Sequence, residues 1–127
     1  MIVLAIALLL SLPASALAVG SSALSAFHTT GWDAECWVVA EESPPFLTCY
    51  TRGGLTGSIG AAGRAALTKR SGEYHHDPFA AHRLLGLDRY WKFGSQFGCV
   101  SRGTGLKCWN NSGHGWVLGP SGSYRVY

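Results

Sequence analysis

The stretch that decides the fold of this chain is Cys99-Val100-Ser101-Arg102-Gly103-Thr104-Gly105-Leu106-Lys107-Cys108. It predicts a β-hairpin that turns at Gly103-Thr104, because a glycine in the first turn position suits the type II′ turn that matches strand twist. Counted outward from this turn, Cys99 lies opposite Cys108 as a non-hydrogen-bonded pair, with Cα atoms about 4.5 Å apart. A disulfide spans that distance. The sequence therefore predicts a Cys99–Cys108 bridge and an oxidising compartment.

The chain has four cysteines, so this pairing leaves Cys36 and Cys49 for a second bridge. Each local bridge should contribute roughly 2–3 kcal/mol. Short strand-like runs between glycine-rich turns predict a mostly β fold, either a small antiparallel sheet or an open barrel of stapled hairpins. At most one short helix is expected, near 78–85, because Asp77-Pro78 is typical of a helix start.

Strand-like runs recur along the chain. Glycines interrupt 53–72, where we expect strand pieces and loop. Elsewhere Val, aromatic residues and Thr predict strands at 32–40, 46–51, 90–93, 96–101, 106–110, 115–118 and 123–127.

The beginning of the chain resembles a secretory signal. An apolar run from Ile2 to Leu12 precedes Pro13 and small-x-small cleavage patterns that end at Ala18. We expect residues 1–18 to be a signal peptide, 19–26 a flexible leader and 27–127 one disulfide-stabilised domain, secreted or held at the cell envelope. No Lys or Arg lies near Met1, so retention of the segment as an anchor stays open. After cleavage we expect no membrane span.

Charge is distributed unevenly along the chain. No Lys or Arg lies between Val19 and Tyr50, and the acidic residues there are Asp33, Glu35, Glu41 and Glu42. From Arg52 onward ten basic residues face three acidic ones, a formal charge of +7. A basic face for an anionic polymer is one interpretation. Scattered solvated charge, balanced by the acidic start, is the other.

The C-terminal part carries a family resemblance. Gly105-Leu106-Lys107-Cys108-Trp109-Asn110 is followed by Gly113-His114-Gly115-Trp116. This Gly-Leu-x-Cys-x-Asn…Gly-His-Gly-aromatic pattern resembles the ending of a family of small secreted bacterial domains, frequent in actinobacteria, that has no assigned function. The family also opens on an aromatic strand and an early cysteine pair, which here would be Phe27 and Cys36/Cys49. The further cysteine pair that many members carry is missing here. The resemblance implies no activity.

Gly113-His114-Gly115 is the sharpest candidate site, because flanking glycines let another group approach the imidazole closely. Its alternative is a histidine that stabilises a tight turn, with Trp116 covering it. The candidate binding residues are His114, Trp116, Trp109 and Arg102. Trp109 is expected to point away from the bridge of Cys108, since successive strand residues face opposite sides.

A second group of ionisable residues surrounds Asp77. Glu73, with His75 or His76 and an arginine such as Arg64 or Arg102, supplies the parts of a small secreted hydrolase, such as a ribonuclease: a base, an acid and a phosphate clamp for the cleavage. A polar turn that caps a helix is the alternative. Adjacent histidines in a strand point to opposite faces, so we expect no metal site.

The sequence favours a binding or interaction module at the cell surface or outside the cell. A cell-envelope glycan, an anionic polymer or a protein is the expected partner class, and no specific nucleic-acid motif or cofactor signature is present. Two alternatives stay open, namely a ribonuclease-like hydrolase using His114 or His75/His76, and an inhibitor of a foreign hydrolase.

Overall fold

A computed structural model describes residues 25–40, 44–69, 83–119 and 122–127. Within these residues the chain is mostly β. A short 3-10 turn, Thr30–Trp32, follows the first strand. The strands are β1 Ala26–Thr29, β2 Ala34–Val39, β3 Phe46–Thr51, β4 Leu55–Gly60, β5 Ala66–Lys69, β6 Leu84–Leu85, β7 Tyr90–Phe93, β8 Phe97–Arg102, β9 Gly105–Asn110, β10 Gly115–Leu118 and β11 Tyr124–Val126.

The strands form two open sheets. The N-terminal sheet has the order β5-β4-β3-β2-β1-β6, and the C-terminal sheet has the order β11-β10-β9-β8-β7. Neighbouring strands are antiparallel except β1 and β6, which are parallel. The mostly β fold of stapled hairpins is confirmed. The open-barrel alternative is wrong, because the strands divide between two sheets that do not close on one another.

The predicted hairpin register is confirmed. Cys99 lies opposite Cys108 and forms the expected bridge, and Cys36 does the same with Cys49 across β2 and β3. The turn differs from the type II′ prediction, because the positive φ falls at Gly105 (138°) and not at Gly103. Gly105 lies against β10, where a Cβ atom would overlap the carbonyl oxygen of Leu118. The close approach of β10 therefore requires a glycine at position 105, and the positive φ occurs there.

The two disulfides meet in the middle of the core. The sulfur atoms of Cys36, Cys49 and Cys108 lie within 4.8 Å of one another, so the bridges of the two sheets are in contact. On one side of them the ring centroids of Phe27 and Trp91 are 4.9 Å apart. The contact between bridges thus lies within a row of apolar contacts that joins the sheets.

Gly57 makes room for a large side chain on the other side of the bridges. A Cβ atom at this position would lie 3.4 Å from the indole of Trp116 and 3.0 Å from Leu67. Trp116 lies opposite Cys108 in the register of β9 and β10, so its side chain shares the inward face of the bridge. It is completely buried. Trp116 therefore belongs to the core, and its assignment to a binding surface is corrected.

Two further predictions differ from the structure at their margins. Residues 78–82 of the helix expected near 78–85 lie outside the described residues. The last two residues of that range, Leu84 and Leu85, form strand β6 beside β1 and not a helix. Pairing with β1 satisfies the backbone there. Ser25 and Ala26, assigned to the leader, are buried, and Ala26 begins β1. Among the described residues no helix is long and apolar enough to cross a membrane.

Replacing two tryptophans, one in the core and one on the surface, tests this packing. Trp116→Ala should lower the free energy of unfolding by about 3–5 kcal/mol, because it opens a cavity beside the disulfides. Trp109→Ala removes the same side chain from a half-buried position and should cost about 1 kcal/mol or less. Chemical denaturation of both variants measures the difference. Equal losses would contradict the assignment of the two indoles to opposite faces.

Candidate functional site

The outer face of the C-terminal sheet is the surface opposite the disulfide core. Because Cys99 and Cys108 point inward, the residues beside them in each strand point outward. We call this surface the outer face. Its described members are Tyr90, Lys92, Gly98, Val100, Arg102, Lys107, Trp109, Gly115, Val117, Arg125 and Tyr127.

Trp109 lies directly over a glycine on the neighbouring strand. Gly98 is its cross-strand partner, and a Cβ atom at Gly98 would lie 2.5–2.8 Å from three atoms of the indole. The indole therefore rests on bare backbone, with its opposite side turned away from the sheet. Trp109 is half-buried in consequence, while Gly98 beneath it is buried. A side chain at position 98 would displace the ring.

Arg102 is held along one edge of the outer face. Its Nη2 donates to the Tyr90 hydroxyl at 2.9 Å, and its Nη1 donates to Asp88 Oδ1 at 3.2 Å. Arg102 Cζ lies 5.5 Å from the centre of the Tyr90 ring, within cation–π range. The hydrogen bond with Asp88 raises the pKa of Arg102. The guanidinium is thus oriented while it stays exposed to solvent.

Lys107 and Tyr127 form a similar pair on the other side of Trp109. Lys107 Nζ lies 5.4 Å from the centre of the Tyr127 ring. The Tyr127 hydroxyl donates to the carbonyl oxygen of Cys108 at 3.1 Å. Burial raises the pKa of the Tyr127 phenol, so it remains a donor at neutral pH. The ring is fixed over the backbone of Gly115, where a Cβ atom would lie 2.8 Å from its oxygen.

These side chains surround an open groove of about 450 Å³ on the outer face. Its floor is Val100, which is almost fully buried. The groove is lined by Tyr90, Val100, Arg102, Lys107, Trp109, Gly113 and Tyr127. The charged side chains of the segment 89–127 are all basic, five Lys and Arg with no Asp or Glu, and the acidic residue that pairs with Arg102, Asp88, precedes it. The groove therefore combines aromatic rings with positive charge.

The Gly-His-Gly turn beside the groove is organised by Asn110. The Asn110 Oδ1 accepts from the backbone N–H groups of Ser112 and His114, both at 3.0 Å. Its Nδ2 donates to the carbonyl oxygens of Gly60, at the end of β4, and of Gly63, in the loop that follows β4, at 3.1 and 2.8 Å. One buried amide thus closes the turn and ties the two sheets together. His114 enters this network through its backbone, which supports the structural alternative for this histidine.

A polar row also crosses the outer side of the N-terminal sheet. Glu35 is completely buried and lies in register between His28 and Tyr50. The His28 ring stacks on Trp32, with ring centroids 3.9 Å apart. Buried carboxylates are tolerated where they are paired, and Glu35 does have interaction partners. This row contributes to the N-terminal sheet and not to the groove.

The structure brings together part of the predicted site. Trp109 and Arg102 both line the groove, and Gly113 of the Gly-His-Gly turn borders it. Trp116 lies in the core instead. The candidate acid–base residues Glu73, His75 and His76 lie outside the described residues. A surface groove at Trp109 therefore replaces the Gly-His-Gly turn as the centre of the candidate site.

Four residues of the groove were missed from the sequence: its floor, Val100, and the side chains of Lys107, Tyr90 and Tyr127. Lys107 stands two positions before Trp109 in β9, so alternation from Cys108 was a signal that places both on one face. Tyr90 lies in β7, at one edge of the C-terminal sheet, and Tyr127 directly follows β11, at the other edge. No local pattern indicates that they meet Arg102 and Lys107, because their positions depend on strand order.

The sulfur cluster of the core resembles a metal site only in its spacing. Three sulfur atoms lie within 4.8 Å of one another, as the ligands of a zinc site do. Each of them is bonded to another sulfur in a disulfide. They therefore offer no thiolate to a metal ion.

Comparison with known proteins gives no match: no family model, no curated protein and no solved structure matches the chain. The resemblance of 97–127 to a family of secreted bacterial domains therefore stays a prediction. What the protein binds has to be inferred from the geometry of the outer face.

Two neighbouring asparagines provide a test of the tie between the sheets. Asn110→Ala removes four hydrogen bonds of a buried amide to part-buried backbone groups, so it should lower the free energy of unfolding by about 3 kcal/mol. Asn111→Ala changes an exposed residue of the same turn and should cost less than about 0.5 kcal/mol. Urea denaturation compares the two variants. A loss of similar size in both would show that the turn as a whole, and not the Asn110 amide, carries the stability.

Proposed function

We propose that this chain is a secreted binding module that recognises an anionic polymer outside the cell through its outer face. The observation that carries the proposal is the groove in which Trp109 rests on Gly98 between two oriented cations, Arg102 and Lys107. Aromatic rings with interleaved positive charge suit a ligand that has both apolar surface and negative charge.

The groove is organised before any ligand binds. Arg102 is held by Tyr90 and Asp88, and the Tyr127 ring beneath Lys107 is held by its hydrogen bond to Cys108. Side chains that are already ordered lose less conformational entropy on binding. The two strands that carry these cations are joined by a disulfide. A rigid, preformed face of this kind supports recognition.

The positive charge of the outer face favours a negatively charged ligand. The segment 89–127 contributes only positive charges, and the single described ion pair of the outer face joins Arg102 to Asp88. Positive charges concentrated on one surface attract polyanions over distances that shorten as salt rises. Binding through the outer face should therefore weaken in high salt.

Secretion is part of the proposal and rests on two features. Two disulfides stabilise the core, and structural disulfides persist in oxidising compartments. The predicted signal segment at residues 1–18 agrees with that compartment. A secreted protein and an anionic polymer outside the cell are then present in the same compartment.

The decisive experiment compares two double substitutions of equal charge. Arg102→Ala/Lys107→Ala removes the cations of the groove, and Arg64→Ala/Lys69→Ala removes two exposed cations near the N-terminal sheet. The first should weaken binding to dextran sulfate about tenfold, a loss of roughly 1.4 kcal/mol, and the second less than about twofold. Affinity electrophoresis in low salt, with thermal unfolding to check the fold, measures both.

Two outcomes would contradict the proposal. An equal loss in both double variants would mean that net charge alone governs the association. Failure of the unsubstituted protein to bind dextran sulfate in low salt would remove the polyanion as a ligand class.

A further inference from the structure

We infer that the ligand of the groove is an acidic polysaccharide, with one sugar ring stacked on the outward side of Trp109 and carboxylates of neighbouring sugars held by Arg102 and Lys107. This inference rests on the proposed function and names its ligand class. It draws on three observations: which ring has no cation over its face, where the charges lie relative to it, and how the indole is seated.

Among the described residues, Trp109 is the groove ring that has no cation over its face. The guanidinium of Arg102 lies over one side of the ring of Tyr90, a residue that is 59 % exposed, and the ammonium of Lys107 lies over one side of the Tyr127 ring. Trp109 meets Tyr90 only by an edge, at 69° between ring planes and 6.3 Å between centroids. One side of the indole lies on Gly98, so the other side is a flat apolar platform. The C–H face of a pyranose ring is a flat apolar surface of similar size.

The two cations lie in different rows relative to this platform. Trp109 belongs to the cross-strand row of Gly98 and Gly115, and Tyr127, over which the Lys107 ammonium lies, pairs with Gly115 in that row. Tyr90, over which the Arg102 guanidinium lies, belongs to the next row, that of Val100. Rows on one face of a sheet are about 7 Å apart. A chain that stacks one ring on Trp109 and continues along the strands therefore meets the Lys107 ammonium beside that ring and the Arg102 guanidinium about one row further on.

The cations held on the tyrosine rings favour a polysaccharide over a single-stranded nucleic acid. Proteins that bind single strands use several aromatic side chains on which successive bases stack. Arg102 and Lys107 lie over two of the three rings of the groove, so a strand that stacked successive bases there would compete with both cations. A sugar ring stacked on Trp109 leaves both cations in place for its acidic groups. Carboxylates also match the planar, hydrogen-bonding geometry of a guanidinium.

Gly98 supplies a test that leaves every groove side chain in place. Gly98→Ala keeps all charges and all rings, but its new methyl group would occupy the position of the indole. Gly103→Ala is the matched control, because a Cβ atom there meets no other atom within 4 Å. Trp109→Ala removes the platform entirely and serves as a second variant. Thermal unfolding of the full disulfide-bonded protein checks that each variant is folded.

The experiment measures binding to three polymers in low salt. Polygalacturonate has sugar rings and carboxylates, polyphosphate has charge without rings, and oligo(dT) has phosphates and bases. We expect Gly98→Ala and Trp109→Ala to weaken binding to polygalacturonate about tenfold or more. Their binding to polyphosphate should change less than about twofold, as should all binding by Gly103→Ala.

The outcomes separate this inference from the proposed function. If polygalacturonate binds equally well with and without Trp109, while Arg102→Ala/Lys107→Ala still weakens it, the inference is overturned and the proposed function stands. Tighter binding to oligo(dT) than to polygalacturonate, lost with Trp109→Ala, would assign the groove to nucleic acid and overturn the inference. If none of the polymers binds, both fail.

Discussion

The contact between two disulfides across the sheet interface is the constraint on which the rest of this structure depends. Each bridge fixes the register of one hairpin, and their sulfur atoms meet within 4.8 Å. A slip of one residue in either hairpin would turn its cysteines to the opposite face. The bridges therefore fix the alignment of strands within each sheet and the choice of the faces that meet. Gly57 opposite Trp116 and Phe27 opposite Trp91 complete the same layer.

The groove lies on the face of the C-terminal sheet that is opposite its disulfide. Strand alternation places Gly98 and Trp109 outward because Cys99 and Cys108 point inward. On the outer face glycines lie opposite aromatic rings: Gly98 lies under Trp109, and Gly115 lies under Tyr127. Large rings can therefore lie close to the sheet without a competing side chain. The bridge that stabilises the core also determines which residues form the groove.

The sequence predicted correctly the features that depend on one hairpin alone, such as its register and the alternation of its side chains. Counting from Gly103-Thr104 predicted the pairing of Cys99 with Cys108, and alternation predicted that Trp109 points away from the bridge of Cys108. The predictions were wrong where the conformation or burial of a residue depends on a strand that is distant along the chain. The positive φ moved to Gly105 because β10 approaches there. Trp116 was placed on the surface although its pairing with Cys108 turns it inward, and that pairing depends on a turn organised by the Asn110 side chain.

The same reasoning explains why Trp109 is a better candidate than His114 for the centre of recognition. The Gly-His-Gly sequence drew attention because glycines permit unusual backbone and close approach. Here Gly113 has a positive φ of 81°, and the backbone N–H of His114 closes the turn on Asn110, so the glycines serve the turn. The glycine that serves the surface is Gly98, which lies in a regular strand and has no positive φ. A glycine in a paired strand, opposite a tryptophan, indicates a seat for the ring, and the other face of the indole is then turned away from the sheet.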